Sequence, residues 1–475
     1  MTETEKDLLS QLIDTHKNSV HQLNREVWNA AELGFKEIKS VQAFKSRLVE
    51  AGFSWSDGVA GIPTAFCASY GTEGPVIGIL AEYDALPQLG QESGVPQHCP
   101  KGENGHGCGH NMLGAAAFGA ALAVRSYLNA TRKPGQIRLY GCPAEENGCG
   151  KTFMAREGVF NDLDAALCWH PHEFSGVWTE STLANIHIKF SFQGKTAHAA
   201  AAPELGRSAL DAAELMNIGV QFLREHIDSQ ARIHYAFLDV GGPAPNVVQD
   251  SSSLLYHIRA PKAAQSREIA ERVERIAKGA ALMTDTQVQW RVVSGLSDYV
   301  PNRILSTLMD ECSQEVGAPT FDAQDFKTAK EFFDHAYPQD IVLQNKAHLK
   351  AMFGAELGSA LADAPLCTMI RPLRFENGLM SGSTDVGDVS YVVPTAQLAC
   401  ACYALGTVAH TWQLTAQGTL PAAEKAVDTV SHVLAMTAIR AMEEPELLAS
   451  AKDELLQTTN GQYICPIPSE VTPAL

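Results

Sequence analysis

The sequence predicts an α/β fold, a mainly parallel sheet with crossover helices, into which a ferredoxin-like βαββαβ domain is inserted. Three observations predict it. The apolar run 75–81 lacks alternation and suits a strand covered on both faces, and further strands at 136–141 and 164–169 are separated by helical stretches, the order that parallel crossovers produce. Between 186 and 293 the pattern changes to alternating strands and amphipathic helices in the order βαββαβ. With 475 residues, 45% of them hydrophobic, the chain can bury a sizeable core and suits about two to four domains.

Taken in order, residues 5–33 place Leu8, Leu9, Leu12, Ile13, Val20, Leu23, Val27 and Trp28 at helical spacing, which predicts one long amphipathic helix or a broken pair. The strand 75–81 ends in Glu82-Tyr-Asp84. A Gly/Pro-rich loop, 90–109, leads into an Ala-rich helix whose apolar stretch, 112–124, falls short of the roughly 20 residues that cross a membrane. A strand at 136–141, a helix at 152–158 and a strand at 164–169 complete the first part. Ligands gather at the C-terminal ends of strands in such sheets, and here those ends carry Asp84, Glu145-Glu146 and His170.

The inserted unit reads as a strand at 186–192, a helix at 207–225, strands at 233–239 and 253–259, a helix at 266–283 and a strand at 286–293. The expected domains are therefore 1–183 with 297–475, and 184–296 between them. Residues 318–379 are mixed, with helical stretches. A strand-like run towards His410 and a helix pair at 422–447 close the pattern.

The charge balance of 36 Lys+Arg against 54 Asp+Glu gives −18, without a basic run, so neither nucleic acid nor an anionic membrane is expected as partner. Eleven cysteines cannot all pair internally, several lie in apolar runs, and the opening residues are acidic rather than basic and apolar. Reduced thiols in the cytoplasm are expected.

The densest constellation is Gly105-His106-Gly107-Cys108-Gly109-His110-Asn111. Cys108 and His110, two apart, project to one side of an extended segment, and thiolate with imidazole suits zinc and related ions. Alone, the motif reads equally as a flexible Gly-rich loop. Glu145-Glu146 can divide work at a strand end, one carboxylate on metal and one free as a base, although such a pair is usually a solvated loop. His170 and His410 each read alone as structural residues. Counted together, Cys108, His110, Glu146, His170 and His410 are too many for one open zinc and suit two ions about 3.5–4 Å apart, which points to hydrolysis.

Together with Gly194-Lys-Thr-Ala-His198-Ala-Ala200 and Gly241-Gly-Pro-Ala-Pro-Asn246-Val, in the same order along nearly the whole chain, these motifs resemble the amidohydrolase branch of the M20 metallopeptidase family. The resemblance implies a dinuclear-metal hydrolase domain, holding two Mn2+ or Zn2+ ions on Cys108, His110, Glu146, His170 and His410, and an inserted lid/dimerisation domain. It implies Glu145 as the free carboxylate, and His198 reaching the oxyanion across a dimer interface. Asp84 is expected to orient the ligand shell from its strand end. Asn246, Arg207 and Arg259 are the candidates for the substrate carboxylates, Asn246 first, since either Arg could be an ion-pair partner. Thr384 stands before Asp385 where the branch often has Glu.

The implied substrate is an N-acyl amino acid, p-aminobenzoyl-glutamate foremost. Other N-acyl amino acids or dipeptides, such as indole-acetyl-aspartate, are the alternative. A homodimer through the lid is expected, or a hetero-oligomer with an A-type partner chain. The competing classes are a non-catalytic partner chain and a thiol mechanism with Cys108 as nucleophile and His110 as base.

Overall fold

The computed structural model describes residues 1–335, 344, 347, 350, 353, 354, 358, 361, 364–375, 378–380 and 382–475. A seven-stranded sheet is built from β1 (Ser54–Asp57), β2 (Phe66–Tyr70), β3 (Val76–Ala81), β4 (Gln136–Gly141), β5 (Ala165–His172), β6 (Gly176–Trp178) and, much later, β13 (Thr395–Ala401), in the order β1-β2-β4-β3-β5-β13-β6. The four central strands, β4-β3-β5-β13, run parallel, while β1, β2 and β6 add antiparallel edges. All six residues of β3 are buried, as its unalternating apolar sequence requires.

The Ala-rich helix, His110–Thr131, is buried nearly all round between the sheet and the helices Glu3–Ala30 and Pro421–Glu443. Its small residues allow that depth. A Cβ on Gly119 would lie 2.4 Å from Ser431 Oγ, and Ser431 Oγ in turn donates to the Ala116 carbonyl at 3.1 Å.

The N-terminal helix is a single unbroken element, Glu3–Ala30, started by a capping box between Thr2 and Glu5. The final pair is longer than its sequence pattern predicts: Pro421–Glu443 and Pro445–Thr459 each open with Pro in the first turn. The helix Ile38–Glu50 buries Val41, Phe44 and Leu48 at helical spacing, and the edge strands β1 and β2 are short; β1, Ser-Trp-Ser-Asp, is largely exposed. Within 318–379 the helix Ala323–His335 is present, and part of that stretch lies outside the described residues. The two-residue strands β7 (Ser181–Thr182) and β12 (Leu379–Met380) pair with each other.

A second sheet contains β8 (Ala184–Gln193), β9 (Arg232–Asp239), β10 (Ser251–Ala260) and β11 (Gln287–Leu296) in the antiparallel order β11-β8-β10-β9, with the helices Ala209–Leu223 and Ala263–Met283 on one face. This is the ferredoxin-like order. Alternation assigns the faces: Ile186, Ile188, Phe190 and Phe192 join Tyr256 and Val273 in the apolar layer under the helices. Asn185 and His187, the odd-numbered residues that alternate with them, take the opposite face. No helix among the described residues is long and apolar enough to cross a membrane.

Candidate active site

The C-terminal ends of the central parallel strands meet on one edge of the large sheet, and the polar residues that follow them converge there. After β3 come Glu82 and Asp84, both buried. After β4 the chain turns through Ala144 in the left-handed region (φ 57°), whose N–H donates to Glu37 Oε1 at 2.9 Å, and this turn presents Glu145 and Glu146. His170 lies on β5. The loop before the Ala-rich helix passes through Gly109, with φ 83°, so that Cys108 and His110 reach the same space. His410 follows β13, its backbone N–H donating to the Gly107 carbonyl at 2.7 Å.

Cys108 Sγ and His170 Nε2 are 3.4 Å apart, and His410 Nε2 is 3.3 Å from Glu146 Oε2. His110 Nδ1 lies 2.8 Å from Asp84 Oδ1, and Asp84 Oδ2 accepts from the Glu146 N–H at 3.0 Å. Asp84 thus sits behind both groups and orients them. His170 Nδ1 donates to the Pro171 carbonyl at 2.8 Å, which keeps the ring proton on Nδ1 and leaves Nε2 facing Cys108.

Among the described residues, three sets of donor atoms lie within 4.8 Å of one another: Cys108, His110 and His170; Cys108, Glu146 and His410; Glu82, His110 and Glu145. Among the described residues, His110 Nε2 and Glu146 Oε1 are buried without a hydrogen-bond partner, although Glu82 Oε2 is 3.1 Å from that nitrogen. Buried polar atoms are rarely left so. Sulfur, imidazole and carboxylate donors with orphaned atoms aimed inward fit borderline divalent ions.

Electrostatics separate the two glutamates from their surroundings. Burial, reinforced by Glu82, Asp385 and Glu146, pushes the Glu145 carboxyl well above its ordinary range. Burial also raises Glu146 and the Cys108 thiol. His170 is pushed down to about 4 by burial and by the charge on His110. Burial works against a charge on His110 too, but Asp84, Cys108 and Glu82 outweigh it and hold its pKa well above the usual imidazole value.

Beneath these groups lies a buried ion cluster that the sequence did not reveal. Lys151, fully buried at the start of the helix Gly150–Arg156, places Nζ 2.6 Å from Glu82 Oε1 and 2.6 Å from Asp385 Oδ1. Its backbone N–H donates to Asp385 Oδ2 at 2.8 Å. Glu82 is therefore fixed between Lys151 and His110.

A cleft of about 390 Å³ opens over the cluster. Glu82, Cys108, Glu145, Glu146, His170 and His410 line one side, and Asn185, His187, His257, Arg259 and Ser294 of the four-stranded sheet line the other. Trp178, Met380 and Leu296 add an apolar portion. Of the sequence-derived candidates, the structure brings together the five proposed ligands, Glu145, Asp84 and Arg259. It places three elsewhere in the chain. Arg207 pairs with Asp285 at 2.7 Å, and His198 and Asn246 are exposed on adjoining loops, where the Ala199 N–H donates to the Asn246 carbonyl.

The profile described as Peptidase family M20/M25/M40 matches residues 78–443. The chain is 43% identical over 473 residues to the B-type chain of the p-aminobenzoyl-glutamate hydrolase of Escherichia coli (strain K12), covering 98% of each chain. It is 28% identical over 463 residues to the Xaa-Arg dipeptidase of Mus musculus, covering 94% of this chain and 90% of that one. A solved Bacillus subtilis protein, YXEP, described as a dinuclear metal binding peptidase from the M20 family, shares the fold with a TM-score of 0.57 at 17% identity, covering 90% of this chain and 99% of that chain. Since the family profile spans the same strands whose ends form the cleft, and a relative is matched almost end to end, the chain belongs to the peptidase family M20/M25/M40.

Proposed function

We propose that the protein is a metal-dependent amidohydrolase that cleaves p-aminobenzoyl-glutamate to p-aminobenzoate and glutamate. The observation that carries the chemistry is the convergence of Cys108, His110, Glu146, His170 and His410 around orphaned buried donor atoms, with Glu145 beside them. The substrate rests on the extent of the likeness to the B-type chain of the Escherichia coli hydrolase. The apolar portion at Trp178, Met380 and Leu296 offers a place for an aryl ring.

Cys108, His110, Glu146, His170 and His410 would hold two Mn2+ or Zn2+ ions. Such ions supply Lewis acidity to water and to the amide carbonyl. Glu145, whose carboxyl burial and neighbouring carboxylates hold above its ordinary range, takes the proton from the attacking water and delivers it to the glutamate nitrogen as the C–N bond breaks. Asp84 holds His110 and the Glu146 backbone in place. Arg259 faces the cleft to pair with a substrate carboxylate.

Residues 184–296 act as a lid and dimerisation domain, hinged near 183 and 296 and able to open and close. β9 is an edge strand with exposed Tyr235, Phe237 and Leu238, and Val240 just after it is exposed too, which supports pairing with a second copy. Such a dimer would let His198 and Asn246 of one copy serve the oxyanion and substrate of the other. The Escherichia coli relatives are named as A-type and B-type chains of p-aminobenzoyl-glutamate hydrolase, which supports an A-type partner as the alternative assembly. Metal removal and re-addition tests the proposal: cleavage of p-aminobenzoyl-glutamate is lost on chelation and regained with manganese or zinc, whereas inactivation by alkylation alone points to a thiol mechanism.

A further inference from the structure

Among the residues that line the cleft, Trp178, Gln397 and His187 each bury a nitrogen that has no hydrogen-bond partner among the described residues, and they fall in two groups on opposite walls. On the large sheet, Trp178 of β6 is paired in register with Gln397 of β13, so their side chains stand next to each other on one face. Both line the cleft, and Trp178 meets the His170 ring edge-on at 6.2 Å. Trp178 Nε1 and Gln397 Nε2 are buried with no partner among the described residues, and Gln397 is only 3% exposed. An indole N–H can only donate, so this wall needs an acceptor from outside the chain.

On the opposite wall, His187 of β8 faces His257 of β10 in register, with ring centroids 3.9 Å apart. His187 Nδ1 is 2.9 Å from Ser294 Oγ, whereas its Nε2 is buried and unpartnered among the described residues. In the tautomer in which Ser294 Oγ donates to Nδ1, the ring proton sits on Nε2 and makes it a donor to the cleft. Burial pushes His187 down to about 4 and His257 to about 3, so both rings are neutral at physiological pH. His257 Nε2 accepts from Arg259 Nε at 3.1 Å and thereby fixes the guanidinium plane on the same wall.

We propose that these two donor groups determine specificity for a dicarboxylic amino acid, the Trp178–Gln397 pair receiving one carboxylate and His187 with Arg259 the other. The proposal rests on the amidohydrolase reading only for which half of the substrate lies there. Unmade, these bonds leave buried donors unpaired, and a carboxamide in place of one carboxylate offers them a single, uncharged acceptor oxygen and sets its own NH2 donors against them. An N-acyl-glutamate is accordingly preferred to the matching N-acyl-glutamine, although the two differ by a single group.

The test compares p-aminobenzoyl-glutamate with p-aminobenzoyl-glutamine on wild type, Trp178→Phe and His187→Phe, with titration calorimetry of free L-glutamate and L-glutamine on the same proteins. Wild type is expected to favour the glutamate compound, and at least one variant to lower that ratio on the order of tenfold, mainly through KM, with metal content unchanged. Trp178→Phe keeps a ring in the same place and removes only the donor. A ratio that is unchanged in both variants, or equal losses on both substrates, overturns the proposal. If wild type cleaves neither amide, the amidohydrolase reading fails, and calorimetry still decides the subsite: preference for glutamate that falls in the variants supports it, and equal binding of glutamate and glutamine overturns it.

Discussion

Replacing Lys151 by Met removes the ammonium that two buried carboxylates share. Glu82 and Asp385 each lie 2.6 Å from Nζ, with Glu82 2% exposed and Asp385 and Lys151 fully buried. Deleting one partner of a buried pair costs about 3–5 kcal/mol, since the remaining charge has neither water nor a counter-ion. Proton uptake limits that cost. Burial already raises Asp385 to about 6 with Lys151 in place, so without the lysine it binds a proton at mildly acid pH and the penalty shrinks. Urea unfolding of metal-free Lys151→Met is therefore expected to show a loss of about 3–5 kcal/mol at alkaline pH and a smaller loss near pH 5. Adding Asp385→Asn recovers part of the alkaline loss. A loss below about 1 kcal/mol, or one independent of pH, refutes the reasoning.

Three further outcomes are expected. Glu145→Gln lowers kcat about 10²–10⁴-fold while elemental analysis finds unchanged metal; normal turnover would remove Glu145 from proton transfer. Glu173, whose Oε2 accepts from the Gly406 N–H at 2.6 Å, is raised by burial from 4.5 to about 7. Its folded form holds the proton that the unfolded chain releases, so this residue costs stability as pH rises from 4.5 to 7, by about 3 kcal/mol in all, and Glu173→Gln gains on wild type across that window and then levels off. Parallel stability curves would contradict this. Leu238→Lys on the β9 edge is expected to yield folded monomers by light scattering, with activity lost if His198 and Asn246 act between copies; a fully active monomer would show that each chain suffices.

Much of the site could be read from the sequence because its members end strands. An unalternating run fixes β3, and the residues just after such strands must gather at one sheet edge, so Asp84, Glu145, Glu146 and His170 could be grouped from the sequence alone. The alternation from Ile186 to Phe192 likewise gives the apolar face of the second sheet. Lys151 was not legible, since nothing local distinguishes a helix-start lysine that is buried from one that is solvated, and its partners come from distant parts of the chain. Trp178 and Gln397 meet through a three-residue strand whose neighbour in the sheet is formed much later in the sequence. The arginines show the same limit: Arg207 and Arg259 looked alike as carboxylate binders, but Arg207 pairs with Asp285 while Arg259 lines the cleft.

The central claim is that Cys108, His110, Glu146, His170 and His410 hold the metal that makes this an amidohydrolase. Elemental analysis of protein purified without added metal, followed by stripping, re-addition of manganese or zinc and assay of p-aminobenzoyl-glutamate, tests it most directly. The account predicts close to two divalent ions per chain, with cleavage lost on stripping and restored with metal. Protein that binds no metal and gains no cleavage on its addition would contradict it, and would favour a non-catalytic partner chain.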